Sequence, residues 1–357
     1  MGEIGEAGNM ETKPCLSGMT LEELKGVAAK AGLPAYAARQ LADWLYKKKI
    51  TSIAGMTNIA VSKRSFLEEH YDIGIFPPVD RIVSSDETVK YLFSVDTGRF
   101  VETVFIPAAN ERSTLCVSSQ IGCRMNCAFC GTGKQGFAGN LTSTEILNQI
   151  HSVAESNQLS NIVFMGMGEP FDNTDALFRV LEILTSSYGY GWSPKRITVS
   201  TAGIIKGLKF FLESSQCNLA ISIHSPYPDE RRLLMPIEKT NPIKEVIQLI
   251  RQYDFSHQQR ISFEYIMFEN LNDSVQHAKD LAKLLAGIPC RVNLINYHVI
   301  PDVTFGNCTV KKMELFRETL NTKGITCTIR TSRGEDIAAA CGMLSTEKIN
   351  RKKEYYR

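Results

Sequence analysis

From about residue 113 to residue 333 the chain alternates two kinds of segment. Continuous apolar, β-rich runs stand at "STLCVSS", "NIVFMGMG", "RITVSTAG", "NLAISIH", "RISFEYIMF" and "RVNLINYHVI". Between them, "STEILNQIHSVAE", "DALFRVLEILTSS", "PIKEVIQLIRQY", "SVQHAKDLAKLLAG" and "KKMELFRETLNTKG" carry apolar residues at helical spacing. A run apolar at nearly every position is a strand covered on both faces. Alternation with amphipathic helices predicts parallel strands sheathed by helices. Six such units fall short of a closed eightfold barrel, so the pattern predicts an α/β partial (β/α)6 barrel. Polar residues gather at the C-terminal ends of the runs: Glu169, Ser200, Ser222, His224 and His298. Parallel α/β folds place their chemistry at that end.

The earlier chain has other periods. "TLEELKGVAAKAG" opens with a capping box, Thr20 and Glu23, and ends at Gly32. "AARQLADWLYKKK" puts Leu41, Trp44 and Leu45 on one helical stripe, and "AVSKRSFLEEHY" is a third helix. "TVKYLFSV" and "RFVETVFI", joined by "DTG", predict two strands and a glycine turn. The expected organisation is a disordered tail (1–15), a small N-terminal helical domain (16–75) and a short β extension, the linking hairpin region (76–112). The partial barrel with a C-terminal catalytic loop (113–345) and a basic tail (346–357) follow.

With 357 residues, 43% of them hydrophobic, the chain can bury one large core and a satellite. No apolar run is long enough to span a bilayer, and the polar start "MGEIGEAGNMETK" lacks a secretory apolar region. Glu6 stands where a myristoylation signal needs Ser or Thr. A cytoplasmic protein without membrane attachment is expected. The net charge of +2 predicts no partner. Lys47 to Lys49 and the tail "EKINRKKEYYR" are either solvated surface or phosphate contacts, and the runs alone favour solvated surface. Ten cysteines without an export signal argue against a disulfide framework. Cys15, Cys217, Cys290, Cys308 and Cys327 are scattered singly, as small buried residues are.

"CRMNCAFC" is different. Cys123, Cys127 and Cys130 form a triplet within eight residues. A structural zinc knuckle would want a fourth Cys or His, and His151 is poorly spaced for it. A redox pair of Cys127 and Cys130 would leave Cys123 unexplained. A [4Fe–4S] cluster held by three thiolates would keep one iron open for a ligand.

This spacing, with Phe129 before the last cysteine, resembles the radical S-adenosylmethionine (SAM) superfamily. The resemblance implies that SAM fills the open iron site and that reduction yields a 5′-deoxyadenosyl radical. "GMGEP", Gly166 to Pro170, is similar to the superfamily's SAM-ammonium motif, with Gly168 for close backbone approach and Glu169 as acceptor. "RFVETVFIP", "STLCVSSQIGC", "SIHSPYPDERRLLMPI", "STAGII" and "TSRGEDIAAACG" narrow the match. Together with "GLPAYAARQLADWLYKKKITSIAGMTN", they resemble the dual-specificity adenosine methyltransferase family of RlmN and its relative Cfr, over about residues 20 to 345.

The resemblance implies a ping-pong reaction using two SAM molecules per turnover. Cys341 matches the cysteine that accepts a methyl group. Its activated methylene then bonds to adenine. Glu102 matches the base that removes the ring proton, and Cys116 matches the thiol that releases the product by a transient disulfide with Cys341. From the residues alone, Cys341 and Cys116 are as simply inert buried cysteines, and Glu102 as simply a salt-bridged carboxylate. Gly168, Glu169, Ser200, Ser222, Ile223 and His224 match SAM contacts. The family usually carries a WNP segment whose Asn contacts SAM; here "NYHVIP" puts His298 in that place.

The expected function is C2 methylation of an adenosine in the peptidyl-transferase centre of 23S rRNA. The adenosine beside the anticodon of some tRNAs is a further expected target. The expected protein is a monomer served by an electron donor such as flavodoxin or ferredoxin. Cfr-type C8 methylation is the near alternative, and an RNA-binding protein with a structural metal knuckle is the distant one.

Overall fold

The computed structural model describes residues 13–95, 98–107, 113–255 and 261–346. The expected tails lie outside these residues except at their inner ends. There Cys15 bridges to Asp72 and Thr346 is fully buried, although both positions were assigned to the tails.

Three helices begin the chain: α1 (Leu21–Lys30), α2 (Ala37–Ala42) and α3 (Val61–His70). The capping box at Thr20 and Glu23 is formed, and Gly32 takes the left-handed conformation (φ +61°) that ends α1. A wider π-type turn, Asp43–Lys47, continues α2. Leu24, Leu41, Leu45 and Leu67 are buried and belong to the same apolar core as the barrel. Polar contacts reinforce the docking: Thr144 donates to the Ser17 carbonyl (2.5 Å), Lys49 to the Ser156 carbonyl (3.1 Å), and Arg179 pairs with Glu23. The lysine run is largely engaged. Lys47 and Lys48 flank Asp43, and Lys48 also stacks on Trp44, 3.5 Å from the ring centre.

The β extension has three strands, one more than the alternation predicted: β1 (Asp80–Val83), β2 (Val89–Ser94) and β3 (Phe100–Ile106). They pair antiparallel in order. β1 is exposed along its whole length, so it leaves no apolar periodicity to read. β3 then pairs antiparallel with β4 (Ser113–Cys116), the first barrel strand. The extension and barrel therefore share one sheet of ten strands.

After β4 comes the small hairpin β5 (Gln120–Gly122) and β6 (Phe137–Asn140), with the short helix α4 (Gly131–Lys134) between them. The six βα units follow as expected. β4 leads to α5 (Ser143–His151), β7 (Leu159–Phe164) to α6 (Thr174–Thr185), and β8 (Ile197–Thr201) to α7 (Ile205–Ser214). β9 (Asn218–Ser222) precedes α8 (Pro228–Leu234) and α9 (Ile243–Ile250). β10 (Ile261–Met267) leads to α10 (Val275–Leu285), and β11 (Cys290–Asn296) to α11 (Val310–Thr322). A further parallel strand, β12 (Thr326–Ile329), closes the C-terminal edge beside β11. Parallel pairing runs without interruption from β4 to β12 through β7, β8, β9, β10 and β11. β10 is buried at every position, as a strand covered on both faces should be.

Candidate active site

The three cysteines lie in the loop between β5 and α4, above the C-terminal ends of the strands. The loop is tied down by its own backbone. Cys123 N–H donates to the Gly136 carbonyl (3.1 Å), Ala128 N–H to Leu234 (2.8 Å) and Gly131 N–H to Gly342 (2.7 Å). Cys123, Cys127 and Cys130 line one cavity with Gly168, Glu169, Ser200, Ser222 and His224. Burial pushes all three thiols up, Cys123 to about 12, and the field of neighbouring cysteines adds to it. Cys127 is raised by both Cys130 and Cys123. Three buried or half-buried thiols whose ionisation is disfavoured become thiolates when a cationic centre binds among them, which is the donor set an iron–sulfur cluster takes.

The SAM-motif residues are built by close packing at the ends of β7, β8 and β9. Gly168 has φ +101°, and a Cβ there would stand 2.5 Å from Gln120 Cβ. A side chain at this position is excluded by conformation and by space. The next residue, Glu169, is buried, and its carboxylate accepts from Ala202 N–H (2.7 Å) and Phe171 N–H (3.1 Å). Burial raises its pKa to about 7 in spite of those bonds. The Ser200 and Ser222 hydroxyls make no hydrogen bond among the described residues and lie open to the cavity. His224 adopts φ +54° and accepts from Ile266 N–H at Nδ1 (2.9 Å), which leaves its proton on Nε2. Burial, with Arg231 nearby, holds its pKa down to about 3, so the ring is neutral. A cavity with an acceptor carboxylate, two free hydroxyls, a neutral imidazole and three thiols suits a polar, zwitterionic cofactor bound against a metal cluster.

Cys116 and Cys341 face this same cavity, although 225 positions of chain separate them. Both are free thiols. Cys116, at the end of β4, is buried, and burial followed by the field of Cys341 raises it to about 12. Cys341 is exposed, on a loop of turns. That loop is held from several sides. Thr132 donates to the Leu344 carbonyl (2.7 Å), Ser84 to Asp336 (2.5 Å) and Gly334 N–H to Asp86 (3.1 Å). The β extension thus supports the loop that carries Cys341.

Glu102 sits at the middle of β3, buried, with Lys90 of β2 at 3.0 Å and Ser345 N–H at 2.9 Å. The salt bridge open to it in the sequence is formed, with Lys90. Burial raises its pKa, and Lys90 opposes the rise. Its carboxylate opens into a second cavity of about 560 Å³ on the other side of the Cys341 loop.

Two expected SAM contacts are not on the lining of the first cavity. Ile223 is fully buried, its N–H bonded to the Glu264 carbonyl (3.1 Å). His298 is buried towards the loop after β12, with Ser332 Oγ 3.2 Å from Nε2 and Glu335 3.4 Å from Nδ1. A ring already turned to that loop is not presented to the cavity. Two lining residues escaped sequence reasoning. Arg330 and Glu264 face each other at 3.5 Å beside Cys116 and Cys341. Asn293 and Ser262 also donate to Glu264 (2.8 and 2.9 Å). A carboxylate inside the apolar run "RISFEYIMF" was the available signal.

Comparison with known proteins identifies the family. The Radical SAM superfamily profile matches residues 117–285, and the ribosomal RNA large subunit methyltransferase N-terminal domain profile matches residues 15–73. A crystal structure of a radical SAM methyltransferase from Sphaerobacter thermophilus superimposes with a TM-score of 0.88 at 38% identity, covering 94% of this chain and 100% of that one. The fold is that of a radical SAM enzyme, which uses a [4Fe–4S] cluster and SAM. A Parabacteroides distasonis protein named "Probable dual-specificity RNA methyltransferase RlmN" is 66% identical over 95% of this chain and 98% of its own length. The Desulfotalea psychrophila protein named "Dual-specificity RNA methyltransferase RlmN" is 37% identical over 94% of this chain and 96% of its own. The chain belongs to the RlmN family.

Proposed function

We propose that this protein methylates C2 of an adenosine in the peptidyl-transferase centre of 23S rRNA, and of the adenosine beside the anticodon in some tRNAs. The observation that carries this reading is the meeting of Cys116 and Cys341 in the cavity lined by Cys123, Cys127 and Cys130. A radical SAM enzyme that only cleaved SAM would have no use for the additional thiol pair.

Cys123, Cys127 and Cys130 would hold the cluster, and Gly168, Glu169, Ser200, Ser222 and His224 would hold SAM. When bound, these groups supply a methyl group and a hydrogen-abstracting radical, with two SAM molecules consumed per turnover. Cys341, exposed on its loop, takes the methyl group on sulfur. Its S-methyl carbon, once activated, bonds to C2 of the adenine and links protein to RNA. Glu102 receives the ring proton; its raised pKa makes it a stronger base than an ordinary carboxylate. Cys116, as thiolate, then attacks the Cys341 sulfur: the S–S bond forms as the sulfur–carbon bond breaks. The released carbon takes a proton to become the methyl group, and the odd electron left by the radical addition passes back to the enzyme's redox centre. The chain acts as a monomer, with a small flavodoxin or ferredoxin as electron source.

Anaerobically purified protein should be brown, with about four irons per chain, and should cleave SAM on reduction. Incubation with rRNA precursor and nucleoside mass spectrometry should give 2-methyladenosine. Formation of 8-methyladenosine alone would refute the C2 assignment.

A further inference from the structure

The pairing of β3 with β4 stops at Val104, two residues short of Glu102. Its register sets Val104 opposite Cys116, Phe105 opposite Leu115 and Ile106 opposite Thr114. Continued two positions, the same register would pair Glu102 with Ser118 through their backbones. The main chain of Ser118 has taken another partner, a side chain. Ser118 N–H donates to Gln149 Oε1 (2.8 Å), and Gln149 Nε2 donates to the Ser118 carbonyl (3.0 Å). The Gln149 amide, on α5 and fully buried, thus stands where a strand would. Thr103 of β3 donates its hydroxyl to the same Oε1 (2.6 Å).

On the β4 side, the main chain of Glu102 is caught by two side chains instead of a strand. Its carbonyl accepts from Ser118 Oγ (2.5 Å), and its N–H points to Met167 Sδ at 3.3 Å. The Ser118 hydroxyl in turn accepts from Met167 N–H (2.8 Å). Met167 lies between Gly166 and Gly168 in "GMGEP". One fully buried hydroxyl therefore ties the backbone of Glu102 to the glycine turn of the SAM motif. The two ends of this tie are unequally secured. The Met167 carbonyl also accepts from Ser119 N–H (2.8 Å) and Gln120 N–H (3.2 Å), and Glu169 N–H donates to Gln120 Oε1 (2.8 Å). Glu102 has, besides the hydroxyl, a thioether, which is a weak acceptor.

We propose that Ser118, held by Gln149, is a positioning residue for the carboxylate of Glu102. The inference rests on the proposed reaction, in which Glu102 takes the ring proton of the protein–RNA adduct and the C–H electron pair stays on the ring. Ser118 lines neither cavity, so it acts through the main chain of Glu102. Lys90 and Ser345 hold the tip of that side chain, and Ser118 holds its root. Without the hydroxyl, the Glu102 carbonyl and the Met167 N–H each lose a partner inside the core, and the less anchored end moves. A base about an ångström out of place loses roughly a hundredfold in rate.

The test uses reconstituted holoenzyme carrying Ser118→Ala, with rRNA transcripts bearing hydrogen or deuterium at adenine C2. Methyl addition to Cys341 is read by intact-protein mass, the protein–RNA adduct on a denaturing gel, and released RNA by nucleoside mass spectrometry. Cys341 should be methylated at nearly the wild-type rate. The adduct should accumulate, its release should fall roughly a hundredfold, and the deuterium isotope effect should exceed that of wild type, because proton removal has become limiting. Ser119→Ala is the control. Ser119 is buried and adjacent, but its hydroxyl has no hydrogen-bond partner among the described residues, so this variant should behave as wild type. If Ser118→Ala yields too little soluble protein, Gln149→Met carries the same test, since it frees Ser118 while filling a similar space. Adduct release at the wild-type rate would overturn the proposal, as would the same defect in Ser119→Ala. So would a parallel fall in Cys341 methylation and release, which is what a general loss of structure produces. Failure of the wild-type enzyme to methylate RNA would instead refute the functional reading, and is seen before any variant is compared.

Discussion

Replacing Glu238 by Ala should destabilise the protein sharply and weaken SAM binding together. Arg231 is fully buried, and Glu238, 3% exposed, is its counter-charge. The guanidinium also donates to the carbonyls of Ala202 (2.7 Å) and Ser222 (3.2 Å), while its Nε has no partner. Glu238 in turn accepts from Ile243 N–H (2.9 Å). Removing the carboxylate leaves a buried cation on two carbonyls and orphans that N–H. Breaking a buried pair costs about 3–5 kcal/mol, against a total stability of about 5–15 kcal/mol. The two carbonyls lie at or just beyond the ends of β8 and β9, next to Ser200 and Ser222 on the lining of the proposed SAM cavity, so the loosened guanidinium also disturbs that cavity. Urea unfolding should show a lower midpoint, and SAM titration a weaker Kd. Replacing both partners, Arg231→Met with Glu238→Leu, should recover most of the stability, because no charge then needs solvating. A loss below about 1 kcal/mol in the single variant, or a double variant no better than the single, would refute the reasoning.

Three further outcomes follow from the site. Cys341→Ala should abolish RNA methylation, whereas Cys116→Ala should leave RNA covalently attached to the protein. Denaturing gel shift of labelled RNA separates the two, and free product released at the normal rate by Cys116→Ala would defeat the assignment. Gly168→Ala should cost SAM cleavage and soluble yield, since its added Cβ meets Gln120 at 2.5 Å with φ at +101°; a fully active variant would contradict the packing. Glu169 should make cluster-free protein less stable as pH rises. Its folded pKa, about 7, lies above the ordinary glutamate value of 4.5, so its contribution is full below 4.5 and lost through pH 7. The change is about 3 kcal/mol at most, and Glu169→Gln should remove it from urea midpoints compared at pH 5 and pH 8.

Sequence alone determined most of the elements and the candidate donor set. Both are local signals: apolar runs every thirty or so residues for the strands and helices, and three cysteines inside eight residues for the donor set. The capping box at Thr20 was legible for the same reason, because its two side chains bond across three positions. β1 was not, since an edge strand exposed on both sides needs no apolar pattern. The expected SAM contacts divided on orientation. Ser222 and His224 reached the cavity, but Ile223 between them is buried in the core, and His298 turned to Ser332. Which neighbour a side chain finds is a matter of packing, and spacing along the chain does not encode it. Tertiary structure alone brought Cys116 to Cys341, set Arg330 and Glu264 beside them, and put Glu102 on the far side of the Cys341 loop. Each of these groups comes from a different strand or loop, and their meeting depends on the sheet that places those ends side by side.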